Sequence, residues 1–149
     1  VSSYLFWNSS LQLAFMPEVE SIADHAFWQC PLTAICFLNV KSIGDWAFLD
    51  CAQLSKVFLP ICEELSGRCF GGCEKIEILD LPAVRMIGNV QFSGCSSLTD
   101  LIIPSVEEID KNCFYECFKL DSIDSKMDAN QFRCSDWCKQ DKKCPICRG

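Results

Sequence analysis

The 149-residue sequence predicts a β-rich solenoid, and two recurrences predict it. The first is a segment that returns down the chain. It is fullest as Ile43-Gly-Asp-Trp-Ala-Phe48-Leu-Asp-Cys51, and its frame is repeated as Ile22…Phe27…Cys30, Leu65…Phe70…Cys73, Ile87…Phe92…Cys95 and Ile109…Phe114…Cys117. The cysteines fall 21, 22, 22 and 22 residues apart. A fixed period of that size marks units that cannot bury an apolar face alone and stack to do so. The second recurrence is a charged column, Glu20, Lys41, Glu63, Arg85 and Glu107, three residues past the usual proline position and alternating in sign. Stacked strands lie about 4.8 Å apart, so each charge faces its opposite above and below. An exposed pair contributes at most about 1 kcal/mol; its use is in fixing register.

Taken in order, residues 4–11 form a degenerate half repeat. Strands follow with the form apolar-x-x-apolar-x-apolar: Leu11, Ala14, Met16; Leu32, Ile35, Phe37; Leu54, Val57, Leu59; Ile76, Leu79, Leu81; Leu98, Leu101, Ile103. Leu120 and Ile123 begin a sixth that loses its last apolar residue to Ser125. Pro17, Pro60, Pro82 and Pro104 end four of them, because proline has no N–H to give a strand ladder, and a turn is expected at each. Gly44 and Gly88 stand where the chain must bend, and positive φ is expected there. The recurrent phenylalanines predict one buried column and the recurrent cysteines a second, the latter read as small buried hydrophobes rather than a metal or redox site.

About half the residues are apolar, enough for one domain with a real core and too many for disorder. Up to Phe132 there are 18 acids against 8 bases, a net charge of −10; from Arg133 there are 2 acids against 5 bases, a net charge of +3. An acidic body is a poor partner for nucleic acid. No apolar run approaches the roughly 18 to 20 residues that span a bilayer, so no membrane insertion is expected of this fragment. The chain starts at Val1, inside a repeat, and reads as a piece of something longer.

The frame Ile-Gly-x-x-Ala-Phe-x-x-Cys-x-x-Leu-x-x-Val-x-Leu-Pro, best kept at positions 43–60, resembles the BspA-like leucine-rich repeats of bacterial and protist surface proteins. The resemblance covers about residues 11–123. It departs from the pattern at Cys69, Gln91 and Cys113 in the alanine position, at Leu38 in the proline position, and by one deletion after Cys30. It implies a leucine-rich repeat solenoid over residues 1–126, a right-handed curved β-rich superhelix with short strands on the concave face and extended or 3-10 segments on the convex face. It also implies a non-enzymatic scaffold for adhesion or protein recognition, placed outside the cell or on its surface.

From position 127 the period is lost, and the tail, residues 127–149, carries Cys134, Cys138, Cys144 and Cys147. Four thiols suit a tetrahedral zinc site, and Cys144-Pro-Ile-Cys147 resembles a closing zinc knuckle, although no histidine ligand accompanies it. Two disulfides capping an extracellular solenoid use the same residues and are favoured, since the resemblance points outward and terminal coils need a cap. The expectation is therefore no cofactor, with one structural zinc as the alternative. That alternative describes an intracellular, cytoplasmic interaction scaffold with a four-cysteine zinc module. A sequon at Asn8-Ser-Ser10 agrees with the exterior.

Catalysis finds no foothold. The single histidine, His25, reads as a solvated turn residue, and no nucleophile elbow, phosphate loop or metal-binding histidine pair is present. Adjacent acids such as Glu63 and Glu64 point to opposite sides of an extended chain, which disqualifies them as an acid/base pair. Binding remains. Strand residues that alternate outward are Leu13 and Phe15, Ala34 and Cys36, Lys56 and Phe58, Ile78 and Asp80, Asp100 and Ile102; seven of the ten are apolar where a solvated face should be polar. Leu13, Phe15, Lys56, Phe58, Ile78, Asp80, Asp100 and Ile102 are the candidate binding residues for a protein ligand on the concave face.

Overall fold

The computed structural model describes residues 1–110 and 112–127. Its elements in chain order are β1 (Leu13–Phe15), β2 (Ser21–Ile22), β3 (Ala34–Cys36), β4 (Ser42–Ile43), β5 (Lys56–Phe58), β6 (Glu64–Leu65), β7 (Ile78–Asp80), β8 (Met86–Ile87), β9 (Asp100–Ile102), β10 (Glu108–Ile109) and β11 (Ser122–Asp124), and no helix occurs among the described residues. Each coil gives one three-residue and one two-residue strand. All pairings are parallel and join equivalent positions of successive coils, such as Ala14 with Ile35 and Ile35 with Val57. The molecule is a parallel-strand β-solenoid of about five turns, as the period required.

The two-residue strands form one continuous ladder, β2-β4-β6-β8-β10. The three-residue strands form two, β1-β3-β5 and β7-β9-β11, because β5 and β7 are neighbours that share no ladder pair. Turns occur after each strand that ends in proline, while Leu38 gives an open bend whose neighbour Asn39 donates through Nδ2 to the Pro17 carbonyl at 2.7 Å.

Each coil closes through a tight segment around its phenylalanine. Alternate N–H groups donate within the coil, as Cys30 to Phe27 at 3.1 Å, and to the next coil, as Phe27 to Ala47 at 2.8 Å. The geometry requires two left-handed residues per coil, four apart: Tyr4 and Asn8, His25 and Gln29, Trp46 and Asp50, Arg68 and Gly72, Val90 and Gly94, Asn112 and Glu116. Gly44 and Gly88, expected at positive φ, are not there. Gly44 is needed for a different reason: a Cβ on it would lie 2.7 Å from the Asp24 nitrogen and 2.9 Å from the Ala23 carbonyl carbon, against backbone that cannot yield. Gly88 meets only the Gln91 side chain, at 3.4 Å.

The core is columnar. Phe27, Phe48, Phe70, Phe92 and Phe114 are buried and stack with ring centroids 5.1, 5.4, 6.3 and 6.0 Å apart, and Phe6 extends the column below Phe27 at 5.1 Å. The cysteine column is buried as well, but it is more than a row of small hydrophobes. Each thiol donates to the carbonyl of the phenylalanine one coil before: Cys30 to Phe6, Cys51 to Phe27, Cys73 to Phe48, Cys95 to Phe70 and Cys117 to Phe92, at 2.8 to 3.3 Å. In the alanine column Gln91 is fully buried, and its amide donates to the Ser66 carbonyl at 2.6 Å and to Cys69 Sγ at 3.1 Å.

The charged column is in register through its backbone, with N–H to carbonyl bonds from Lys41 to Glu20, Glu63 to Lys41, Arg85 to Glu63 and Glu107 to Arg85. Of its side chains, Arg85 and Glu63 come within ion-pair distance, at 3.9 Å and well exposed. At that exposure the pair contributes little.

Candidate functional site

Ladder register puts the outward strand residues in two rows, each interrupted between β5 and β7, which lack ladder pairs. One row runs Leu13, Ala34, Lys56 and, past the interruption, Ile78, Asp100, Ser122; the other runs Phe15, Cys36, Phe58 and, past it, Asp80, Ile102, Asp124. The face changes character at that place. The β1-β3-β5 half is apolar apart from Lys56, whereas the β7-β9-β11 half carries three acids. Leu13 and Phe15 are each 65% exposed, Phe58 53% and Ile78 58%, although large apolar side chains normally prefer burial. Lys56 and Asp80 are exposed, and Ala34, Cys36, Asp100 and Ile102 are half-buried.

Asp100 is held on this face by its neighbours. Ser122 Oγ donates to its Oδ1 at 2.6 Å and Thr99 Oγ1 to its Oδ2 at 2.7 Å. These bonds favour the carboxylate and hold its pKa below the ordinary value, the Ser122 bond most. The acid is therefore a fixed negative charge at neutral pH.

The thiols behave oppositely. Burial pushes Cys51, Cys62 and Cys95 up to about 12 and raises Cys69 and Cys73 well above the ordinary value. Such groups stay protonated at neutral pH, and the protonated thiol is a weak nucleophile. Among the described residues no three histidine, cysteine or acidic side chains are gathered so as to hold a metal. Cys134, Cys138, Cys144 and Cys147 lie outside the described residues.

Sequence reasoning missed a second surface, on the turns around the phenylalanines. His25 is half-buried rather than solvated, and Tyr4 stacks on it at 4.5 Å while Trp46 meets it edge-on at 5.0 Å. Trp7 stacks on Trp28 at 5.8 Å, and Trp28 lies 5.6 Å from His25. His25 Nδ1 and Trp28 Nε1 are enclosed without hydrogen-bond partners. The signal was present in the spacing: Tyr4, His25 and Trp46 recur at 21 residues, as do Trp7 and Trp28.

A stack of repeated coils with a regular strand face is the architecture of a class of protein, the repeat scaffold for protein interaction. Within that class, the BspA type leucine rich repeat region matches residues 1–121 in six copies, and the chain belongs to that family. Among solved structures it is similar to a leucine rich repeat protein of T. pallidum, 31% identical over 75% of this chain and 58% of that one, with a TM-score of 0.71. It is also similar to a leucine rich cell surface protein of Faecalibacterium prausnitzii A2-165, 28% identical over 83% of this chain and 34% of that one, TM-score 0.72. A leucine-rich repeat protein of Bacteroides ovatus ATCC 8483, 21% identical over 81% of this chain and 39% of that one with a TM-score of 0.69, speaks to the fold alone. The chain thus spans about a third to just over half of the length of these relatives. No curated protein matches it. Scaffolds of this family are generally non-enzymatic. No helix among the described residues is long and apolar enough to cross a membrane.

Proposed function

We propose that the chain is a recognition module of a cell-surface or secreted protein that docks a protein ligand on its outward, concave strand face. The observation that carries this reading is the exposure of Leu13, Phe15, Phe58 and Ile78 on one surface. Scattered apolar residues need no explanation, but large apolar side chains that share the outward rows of stacked strands are what an interface core requires. Phe15 and Phe58 are the aromatic anchors. Ile102 extends the apolar group, Lys56, Asp80 and Asp100 supply its polar rim, and the acids favour a ligand with basic side chains beside an apolar patch. The cell-surface placement rests on family membership and on the surface relative from F. prausnitzii.

The experiment is binding of purified candidate surface and matrix proteins by biolayer interferometry. The triple variant Phe15→Ser, Phe58→Ser, Ile78→Ser is compared with a triple variant on the turn face. Loss of binding only in the strand-face variant supports the assignment; loss only in the turn-face variant refutes it.

The tail is read as a disulfide cap. Mass spectrometry with and without reductant is expected to give two disulfides among Cys134, Cys138, Cys144 and Cys147; four zinc-protected thiols would replace this reading with the intracellular one.

A further inference from the structure

Away from the strand face, the turn surface holds a notch of about 360 Å³ lined by Arg68, Val90, Ser93, Asn112 and Tyr115. Its origin lies in one column of side chains. Trp7, Trp28, Leu49, Gly71, Ser93 and Tyr115 occupy equivalent positions in successive coils, so side-chain size falls away at Gly71 and Ser93 and returns at Tyr115. The parallel column runs Tyr4, His25, Trp46, Arg68, Val90, Asn112, all in the left-handed conformation that aims them alike. Gly71 also sets the arginine. A Cβ there would stand 2.6 Å from Arg68 Cγ and 3.0 Å from its Nε, so the arginine stem lies across the glycine.

We infer that this notch is a binding site for a single carboxylate-bearing sugar, of the hexuronic or sialic acid kind. Arg68 offers a guanidinium, whose fork suits a carboxylate. Ser93 and Asn112 offer a hydroxyl and an amide, which can donate and accept as a sugar's hydroxyls demand. Tyr115 and Val90 give the apolar wall on which the less polar face of a pyranose ring packs. The volume falls within the range of small-ligand pockets, roughly 300 to 1,000 Å³. Charge restricts the ligand further. One guanidinium on a body of net charge −10 takes one carboxylate, and the surrounding field repels a polyanion. The site therefore fits an acidic sugar on an otherwise neutral chain. Neutral sugars of the same chain have a place to go, since Trp46 continues the column beyond Arg68 and is 41% exposed.

The test uses the full chain and defined probes: methyl β-D-glucuronide, a methyl α-sialoside, methyl β-D-glucoside and N-acetylglycine, followed by saturation-transfer NMR and titration calorimetry. At least one of the two acidic sugars binds, and which one distinguishes the hexuronate from the sialate source. The glucoside and N-acetylglycine bind at least about tenfold more weakly, and Arg68→Met weakens the acidic sugar by about tenfold or more, as loss of a charge-assisted hydrogen bond requires. Tyr115→Ala gives an independent loss. Arg68 is exposed, so its variant keeps the wild-type melting curve. Failure of both acidic sugars to bind, equal binding of the glucoside or of N-acetylglycine, or unchanged affinity in Arg68→Met each overturns the assignment.

Discussion

The thiol of Cys51 donates a hydrogen bond to the backbone carbonyl of Phe27, one coil earlier, at 3.1 Å, inside a core where neither atom meets water. The bond recurs in every coil and ties the cysteine column to the phenylalanine column. The Phe27 carbonyl also accepts from the Cys30 N–H at 3.1 Å, so the thiol supplies its second hydrogen bond. Cys51→Val fills the space of the thiol without its donor, and chemical denaturation should record a loss of about 0.5 to 1 kcal/mol, the net worth of one such bond. A loss below about 0.3 kcal/mol would mean that the cysteines act by volume alone.

The same burial makes the fold sensitive to alkali. Unfolded thiols lose their protons above the ordinary value near 9, whereas Cys51, Cys62 and Cys95 hold theirs to about 12. A raised pKa contributes stability that is complete below the unfolded value and declines as pH rises through the window between the two. Each such thiol removes on the order of 1 kcal/mol per pH unit there. Stability measured by urea titration is expected to be level from pH 7 to 8.5 in this respect and to fall steeply from pH 9 to 11. A flat profile above pH 9 would contradict it.

Backbone geometry gives a third expectation, with opposite signs at two sites. Gly44→Ala pushes a methyl group into the Asp24 and Ala23 backbone and should cost about 1 to 3 kcal/mol. Val90 is β-branched and sits at φ 50°, where asparagine is more at ease. Val90→Asn should therefore be neutral or stabilise by about 0.5 to 1 kcal/mol. Paired thermal melts check both, and destabilisation of more than about 1 kcal/mol by Val90→Asn would contradict the reading of strain.

These sites also mark how much the sequence made legible. Period and apolar spacing were enough to place Phe48 under Phe70, to pair Ala34 with Lys56, and to turn Phe58 outward, because a stacked coil repeats its side-chain directions. Three things were not legible. The donor role of Cys51 depends on where the Phe27 carbonyl points, which only the stacked backbone decides. Left-handed residues such as His25, Trp46 and Val90 carry no glycine signal, since stacking rather than residue type imposes their conformation, and Gly44 misled because close approach and positive φ select the same residue. The division of the strand face between β5 and β7 leaves no trace in residue spacing, which stays at 22.

Phe58 and Phe70 give the most direct test of the central claim, that the strand face is a free apolar surface used for protein recognition. Phe70 is wholly buried and Phe58 is half exposed on β5. Each is changed to alanine, and both stability and affinity for a purified protein ligand of the wild-type chain are measured. Phe70→Ala should lose about 3 to 5 kcal/mol of stability through cavity formation. Phe58→Ala should stay within about 0.5 kcal/mol of wild type in stability and lose about 1 to 2 kcal/mol or more of binding free energy. A large stability loss in Phe58→Ala with unaltered affinity would contradict the account.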